Sequence, residues 1–374
     1  LEALLILEDG FTLEGKTFAG QGEVCGEVIF NTAMSGYQEI ITDPSCHGQI
    51  VIFTYPHIGN YGCNPIDNES SLLHPKGVIV KNYCRRPDNA LSRESLGSFL
   101  ERHNIIGIEE IDTRTLTLHL REQGAMKGII STSAKDPAAL KEKLALFSKQ
   151  ESNQENEDLI KKITTPQIYY RETSTAKPIF EIPPPKTDNS NKHVVVIDLG
   201  VRHSTLQALL KRGCRVTVVP STSSIEDIKA IEPSGVLISS GPESPTAIDS
   251  LIPTVSKLLE WRPLMGISLG QQVIGKTLGM EIFKLLNAHR GANHPVKEIN
   301  SEKVFVTIQN HGYSISYNSP FPDKTYATHL NLNDHTLEGM ENRDLGFFSI
   351  QFQPEERPGP HEGKNLFDKF MEWL

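Results

Sequence analysis

Apolar residues follow two different rhythms along this chain. In the first 150 residues they form short, strand-length runs broken by turn pairs: Ala3 to Leu7, an Asp9-Gly10 turn, then Phe11 to Phe18. Further strands are predicted at Glu27 to Phe30, Gln49 to Thr54 and Gly77 to Val80, and helical spacing shows at Ser95 to Arg102 and Pro137 to Phe147. From Val194 onward strand and helix alternate. Val194 to Ile197 is an unbroken apolar run, followed by a helix at Ser204 to Arg212, a strand at Val216 to Val219 and a helix at Ser224 to Ile231. Gly235 to Ile238 and Leu264 to Ile267 complete four strands. Unbroken apolar strands separated by helices predict a mainly parallel sheet with helices on both faces. Between the two patterns, Lys149 to Lys192 is rich in Gln, Asn, Glu, Thr and Pro, includes Pro183-Pro184-Pro185, and loses its periodicity. It reads as a linker with at most one short element around Ile168 to Tyr170. The prediction is therefore an α/β chain: a β-rich domain over 1–150, a linker over 151–192 and an α/β domain over 193–374.

Ligands of such a sheet gather at the carboxyl ends of its strands, where Ser239-Ser240-Gly241-Pro242-Glu243 and Ser268 fall. Gly266-Ile267-Ser268-Leu269-Gly270 reads as a strand turning sharply into a helix. Small neighbours permit that turn, which leaves the Ser268 side chain exposed beside helix-start amides able to hold an oxyanion. The pattern G-x-S-x-G admits a serine hydrolase, which would have to recruit Asp334 with His335 or His361. Three fixed positions in five recur by chance, so the motif alone does not define the chemistry.

Composition narrows the partners. A length of 374 residues accommodates two domains, and a net charge of -9 with 22% charged and 38% hydrophobic residues describes a mildly acidic chain. It has no basic stripe to neutralise phosphates, which argues against nucleic acid. No apolar run approaches the roughly 20 residues that cross a bilayer, and the start, Leu1 to Ile6, is unlike a signal peptide, so a cytoplasmic protein without membrane contact is expected. Five scattered cysteines without C-x-x-C spacing suggest reduced thiols and neither a disulfide framework nor a zinc site. Cys214 has basic neighbours, yet a packed thiol at a strand start is the commoner case. His289, His294 and His361 lack metal-ligand spacing, so no metal is implied.

The wider company of the turn is more specific. Ser239-Ser240-Gly241-Pro242, the turn followed by Gln272, Arg290-Gly291-Ala292-Asn293-His294-Pro295-Val296, Gln309-Asn310-His311-Gly312-Tyr313 and Gln353-Pro354-Glu355 resemble, in order and spacing, a class I glutamine amidotransferase. More narrowly, they are similar to the small subunit of the carbamoyl phosphate synthetase family. Asn31-Thr32-Ala33-Met34-Ser35-Gly36-Tyr37-Gln38-Glu39, Thr42-Asp43-Pro44-Ser45, Thr54-Tyr55-Pro56-His57-Ile58-Gly59-Asn60 and Ile111-Asp112-Thr113-Arg114 resemble that subunit's N-terminal segments. The resemblance implies a subunit that hydrolyses glutamine and passes ammonia to a large subunit, which makes carbamoyl phosphate from bicarbonate, ATP and ammonia for pyrimidine and arginine synthesis. It implies no cofactor in this chain, with ATP and magnesium in the large subunit. In the family the turn carries a nucleophilic cysteine, a histidine paired with a glutamate activates it, and backbone amides hold the oxyanion.

This chain departs from that pattern where the chemistry lies. Ser268 stands at the cysteine position and Gln353 at the histidine position, while Glu355 keeps the glutamate. Serine ionises far less readily than cysteine, and a neutral amide takes no proton in this pH range. The family's Gly-Pro-Gly-Asp-Pro loop is here Gly241-Pro242-Glu243-Ser244-Pro245, and the residue before Gln272, commonly histidine, is Gln271. The positions that surround glutamine in the family are Ser45, Gly241, Glu243, Leu269, Gln272, Asn310, Gly312 and Tyr313. They serve either retained binding or loop geometry alone. His311 could be a substitute base, although a histidine between Asn and Gly in a turn is more often structural. Little or no glutaminase activity is expected. The two outcomes compatible with this are a scaffold for an ammonia-dependent synthetase and slow hydrolysis by Ser268, helped by the Gly241 and Leu269 amides with Glu355 as a poor base.

Overall fold

The computed structural model describes residues 2–134, 136–154, 159–171, 192–243, 247–355, 359–360 and 362–374. The chain divides into two compact units, Leu1–Glu155 with Leu286–Gly291 and Asn156–Leu285 with Ala292–Leu374.

In the first unit the strands are β1 (Glu2–Leu7), β2 (Thr12–Ala19), β3 (Glu23–Asn31), β4 (Ile50–Phe53), β5 (His57–Ile58), β6 (Gly77–Ile79), β7 (Asn82–Tyr83), β8 (Ile106–Glu109) and β9 (Met126–Ser131). Seven of them close a barrel in the order β1-β2-β8-β6-β4-β3-β9. The unbroken apolar run of β1 is explained by cover on both faces. Ala3, Leu5 and Leu7 join the barrel core with Val28, Ile52 and Ile108, while Leu4 and Ile6 pack outward on Leu140 and Leu144 of the helix Pro137–Gln154.

The second unit holds β10 (Tyr169–Arg171), β11 (His193–Asp198), β12 (Arg215–Pro220), β13 (Gly235–Ile238), β14 (Leu264–Ile267), β15 (Ile282–Glu298), β16 (Val304–Ile315), β17 (Tyr326–Asn331), β18 (Leu337–Asn342) and β19 (Phe347–Ile350). They form one sheet ordered β10-β12-β11-β13-β14-β19-β18-β17-β15-β16. The ladder is parallel from β12 to β19, as the unbroken apolar runs require, and antiparallel beyond β19. Alternate residues face opposite layers. Val195, Ile197, Val236 and Ile238 pack on the helices Ile225–Ala230, Ile252–Leu258 and Leu269–Thr277. Val194, Val196, Leu237 and Met265 pack on His203–Lys211 and Asn365–Trp373.

The described part of the stretch read as a linker contains regular elements. The helix predicted to end at Phe147 runs on to Gln154, a second helix spans Leu159–Ile163, and β10 takes the place of the single short element. Ile160 is buried among Val195, Ile197 and Val219, so one apolar residue in a polar context anchors the segment. Pro183, Pro184 and Pro185 lie outside the described residues. No helix among the described residues is long and apolar enough to cross a membrane.

Candidate functional site

The site is assembled at the carboxyl ends of four neighbouring parallel strands, β11, β13, β14 and β19. After β14, Ser268 turns the chain into the helix Leu269–Thr277 with φ 53° and ψ -106°, a conformation that side-chain-bearing residues rarely adopt. Its N–H donates to the Ile350 carbonyl at 2.7 Å, which ties the turn to β19. The flanking glycines leave no room for a side chain. A Cβ at Gly270 would lie 2.3 Å from the Ile238 carbonyl oxygen, and one at Gly266 would lie 2.7 Å from Ile274 Cδ1. Gly241, after β13, is equally confined, since its Cβ would meet the Leu199 carbonyl oxygen at 2.0 Å. The backbone of a nucleophile turn is thus present.

Its side chain is not presented to solvent as the motif suggests: Ser268 is 2% exposed. The side chain that reaches Ser268 Oγ among the described residues is Gln351, whose Nε2 stands 3.5 Å away, at the limit of a hydrogen bond. An amide N–H can only donate, so it cannot take the hydroxyl proton. Among the described residues, neither Asp334 nor His335 is hydrogen-bonded to the turn. Asp334 accepts from Thr336 N and Oγ1 in an exposed turn, His335 beside it is exposed, and His361 lies outside the described residues.

Gln353 and Glu355 follow β19, and what they touch was not foreseen from the sequence. Arg202, at the end of the loop after β11, inserts its guanidinium between them, with Nη1 2.8 Å from Gln353 Oε1 and 3.1 Å from Glu355 Oε2. Thr205 Oγ1 donates to the other Glu355 oxygen. Arg202 is 1% exposed and Glu355 2%. The loop that delivers Arg202 is held by Asp198, whose Oδ1 accepts from Gly200 N and Val201 N and whose Oδ2 accepts from Thr165 N. Burial holds the Asp198 carboxyl above its ordinary pKa, against the pull of these three amides. Glu355 is therefore engaged by a buried cation and a hydroxyl, and the role of poor base suggested for it has no support in this geometry. Arg202 carried one sequence signal, its position just after a strand end in the first βα loop of the sheet.

His311 is equally unavailable. It is fully buried, with Nδ1 2.9 Å from the Tyr313 carbonyl and Nε2 2.8 Å from Gln309 Oε1. Gln309 Nε2 in turn donates to Glu338, 2.9 Å away, which fixes the amide orientation. Both ring nitrogens therefore face partners inside the protein, the Tyr313 carbonyl and Gln309, and neither is presented to a substrate.

Of the residues expected around glutamine, the structure brings four into one hydrogen-bonded cluster. The Glu243 carboxylate accepts from Gln272 Nε2 at 2.8 Å, from Tyr313 N at 3.3 Å and from Gly312 N. Gln272 Nε2 also donates to the Tyr313 carbonyl at 3.2 Å. Gly241 and Leu269 belong to the loop and helix start described above, and Asn310 lies in β16, 9% exposed. Ser45 belongs to the first unit, in a short 3-10 turn where its N–H donates to Asp43 Oδ1. Ser244 and Pro245 lie outside the described residues.

Residues 195–373 match the family described as Glutamine amidotransferase class-I, which is the class of domain that this sheet, turn and strand-end strip define. Residues 5–130 match Carbamoyl-phosphate synthase small chain, CPSase domain. The carbamoyl phosphate synthase small chain of Synechococcus sp. is 45% identical over 370 residues, covering 99% of this chain and 92% of the relative. That of Syntrophotalea carbinolica is 42% identical, covering 100% and 98%, and that of Aquifex aeolicus is 40% identical, covering 99% and 98%. The chain belongs to the carbamoyl phosphate synthase small-chain family.

Proposed function

We propose that this small chain supports a large synthetase subunit while releasing little or no ammonia from glutamine itself. The observation that supports the reading is the Arg202 guanidinium held between Gln353 and Glu355. Amide hydrolysis by a hydroxyl needs a group that accepts its proton and returns it to the leaving nitrogen. Among the described residues, the side chain that reaches the turn is an amide that donates, Gln353 is a neutral amide that accepts from Arg202, and the carboxylate that would orient a base is paired with a cation. The loss of positioned base catalysis lowers a rate by about two to four powers of ten, and replacing a thiol by a hydroxyl adds to that. On this reading the large subunit supplies the ATP and magnesium sites, draws on free ammonia in the cytoplasm, and feeds carbamoyl phosphate to pyrimidine and arginine synthesis.

The test is ammonia release from glutamine by the chain reconstituted with its large subunit, beside Ser268→Ala. Equal, background-level release from both is expected, together with ammonia-dependent carbamoyl phosphate synthesis that declines when the small chain is withheld. Release at a substantial rate that Ser268→Ala abolishes would overturn the proposal.

A further inference from the structure

The Glu243 carboxylate occupies a cradle with the character of an amino-acid site. Two backbone amides and one side-chain amide converge on its two oxygens, an arrangement suited to a carboxylate of any origin. Gln272, a donor in this cradle, is completely buried. Its other polar atom, Oε1, has no hydrogen-bond partner among the described residues. Swapping the two ends of that amide would not help, because the atom now called Nε2 faces two acceptors, Glu243 and the Tyr313 carbonyl. The cradle therefore satisfies a carboxylate and leaves a buried acceptor beside it without a donor. A free α-amino acid offers both a carboxylate and an ammonium, whereas Glu243 supplies only the first.

We propose that Glu243 is an intramolecular stand-in for the carboxylate of an amino-acid ligand, and that it determines the exclusion of free glutamine from this pocket. The proposal rests on the reading of the second unit as an amidotransferase pocket without working chemistry, and adds that the pocket is already filled. A carboxylate tethered to the same chain, on the loop after β13, competes at an effective concentration on the order of millimolar. A free amino acid must displace it before using the same donors. The family's glycine at this position has no side chain to compete with.

The test uses the full chain in three forms, native, Glu243→Gly and Glu243→Gln, titrated calorimetrically with L-glutamine and followed by hydrogen exchange at Gly312 and Tyr313. In Glu243→Gly, exchange at both amides is expected to accelerate, glutamine to bind at least tenfold more tightly than to the native chain, and added glutamine to restore protection. Glu243→Gln keeps the side-chain volume but turns an NH2 toward the donors, so its affinity is expected to fall between the two. Native-like exchange in the glycine variant would show that the cradle does not hold Glu243, and equal glutamine affinity in all three forms would show that Glu243 excludes nothing. Either result overturns the proposal. Both readouts are of binding, so they are independent of ammonia release: a native chain that hydrolyses glutamine would overturn the reading above, whereas these results would overturn only the role of Glu243.

Discussion

The turn at Ser268 and the strip from Gln353 to Glu355 stand at the ends of adjacent strands, yet they have met opposite fates. The turn keeps its strained backbone, its glycines and its tie to Ile350. The strip's Glu355 is engaged by Arg202 and Thr205. The difference follows from what holds each part. The turn is fixed by backbone packed on backbone, where any added Cβ collides with a carbonyl or a core side chain. The strip's chain is tied by the Gln353 N–H to the Ile308 carbonyl at 2.9 Å, but its functional groups are fixed by side chains, which can exchange partners as long as buried charges remain paired. On the proposed reading, a site loses its reaction without losing its architecture.

The largest effect should come from giving the strip back its chemistry. Ser268→Cys with Gln353→His is expected to raise glutamine-dependent ammonia release by less than tenfold while Glu243 fills the cradle. Adding Glu243→Gly should raise it by about two powers of ten or more, the usual yield of positioned base catalysis. If the pair alone gave the full gain, the contrast between preserved frame and lost chemistry would stand without any role for the plug. If the triple variant were silent, the frame itself would have drifted.

Next in size is the buried ion pair. Arg202→Met leaves the Glu355 charge without its cation and should cost about 3–5 kcal/mol in urea unfolding of the full chain. Arg202→Met with Glu355→Gln should recover most of that loss. An additive double variant would mean that the two side chains do not act as a unit. The smallest expected effect belongs to the turn: Gly270→Ala or Gly241→Ala forces a Cβ against a carbonyl oxygen and should cost about 1–3 kcal/mol in the same measurement. A neutral result at both would break the argument that backbone packing preserves the turn.

Much of this contrast was legible in the sequence, but not evenly. The runs Val194 to Ile197 and Leu264 to Ile267 announce buried parallel strands, and Gly266 and Gly270 bracket the turn at a spacing that only a close strand-to-helix junction needs. The antiparallel extension was not visible, because β15 alternates buried and exposed residues irregularly and carries charges along its length. The helix Thr113–Gln123 was missed for a similar reason: it buries Thr113, Leu116 and Leu120 and leaves Leu118 exposed, too few apolar positions for a clear period. Arg202 escaped notice since its partners lie 151 and 153 positions away. For Glu243 the substitution was plain, but two of the three donors described for it are backbone amides, which leave no mark in a sequence.

The strained serine has a consequence for taking inventory of enzymes. A motif survey that scores Gly266, Ser268 and Gly270 would count this chain among active hydrolases. A census by serine-reactive electrophiles would omit it, since an almost fully covered hydroxyl with no proton acceptor among the described residues reacts with few of them. On the proposed reading, chains of this kind are overcounted by pattern and correctly passed over by labelling, and the residue that separates the two tallies is a buried arginine that neither method inspects.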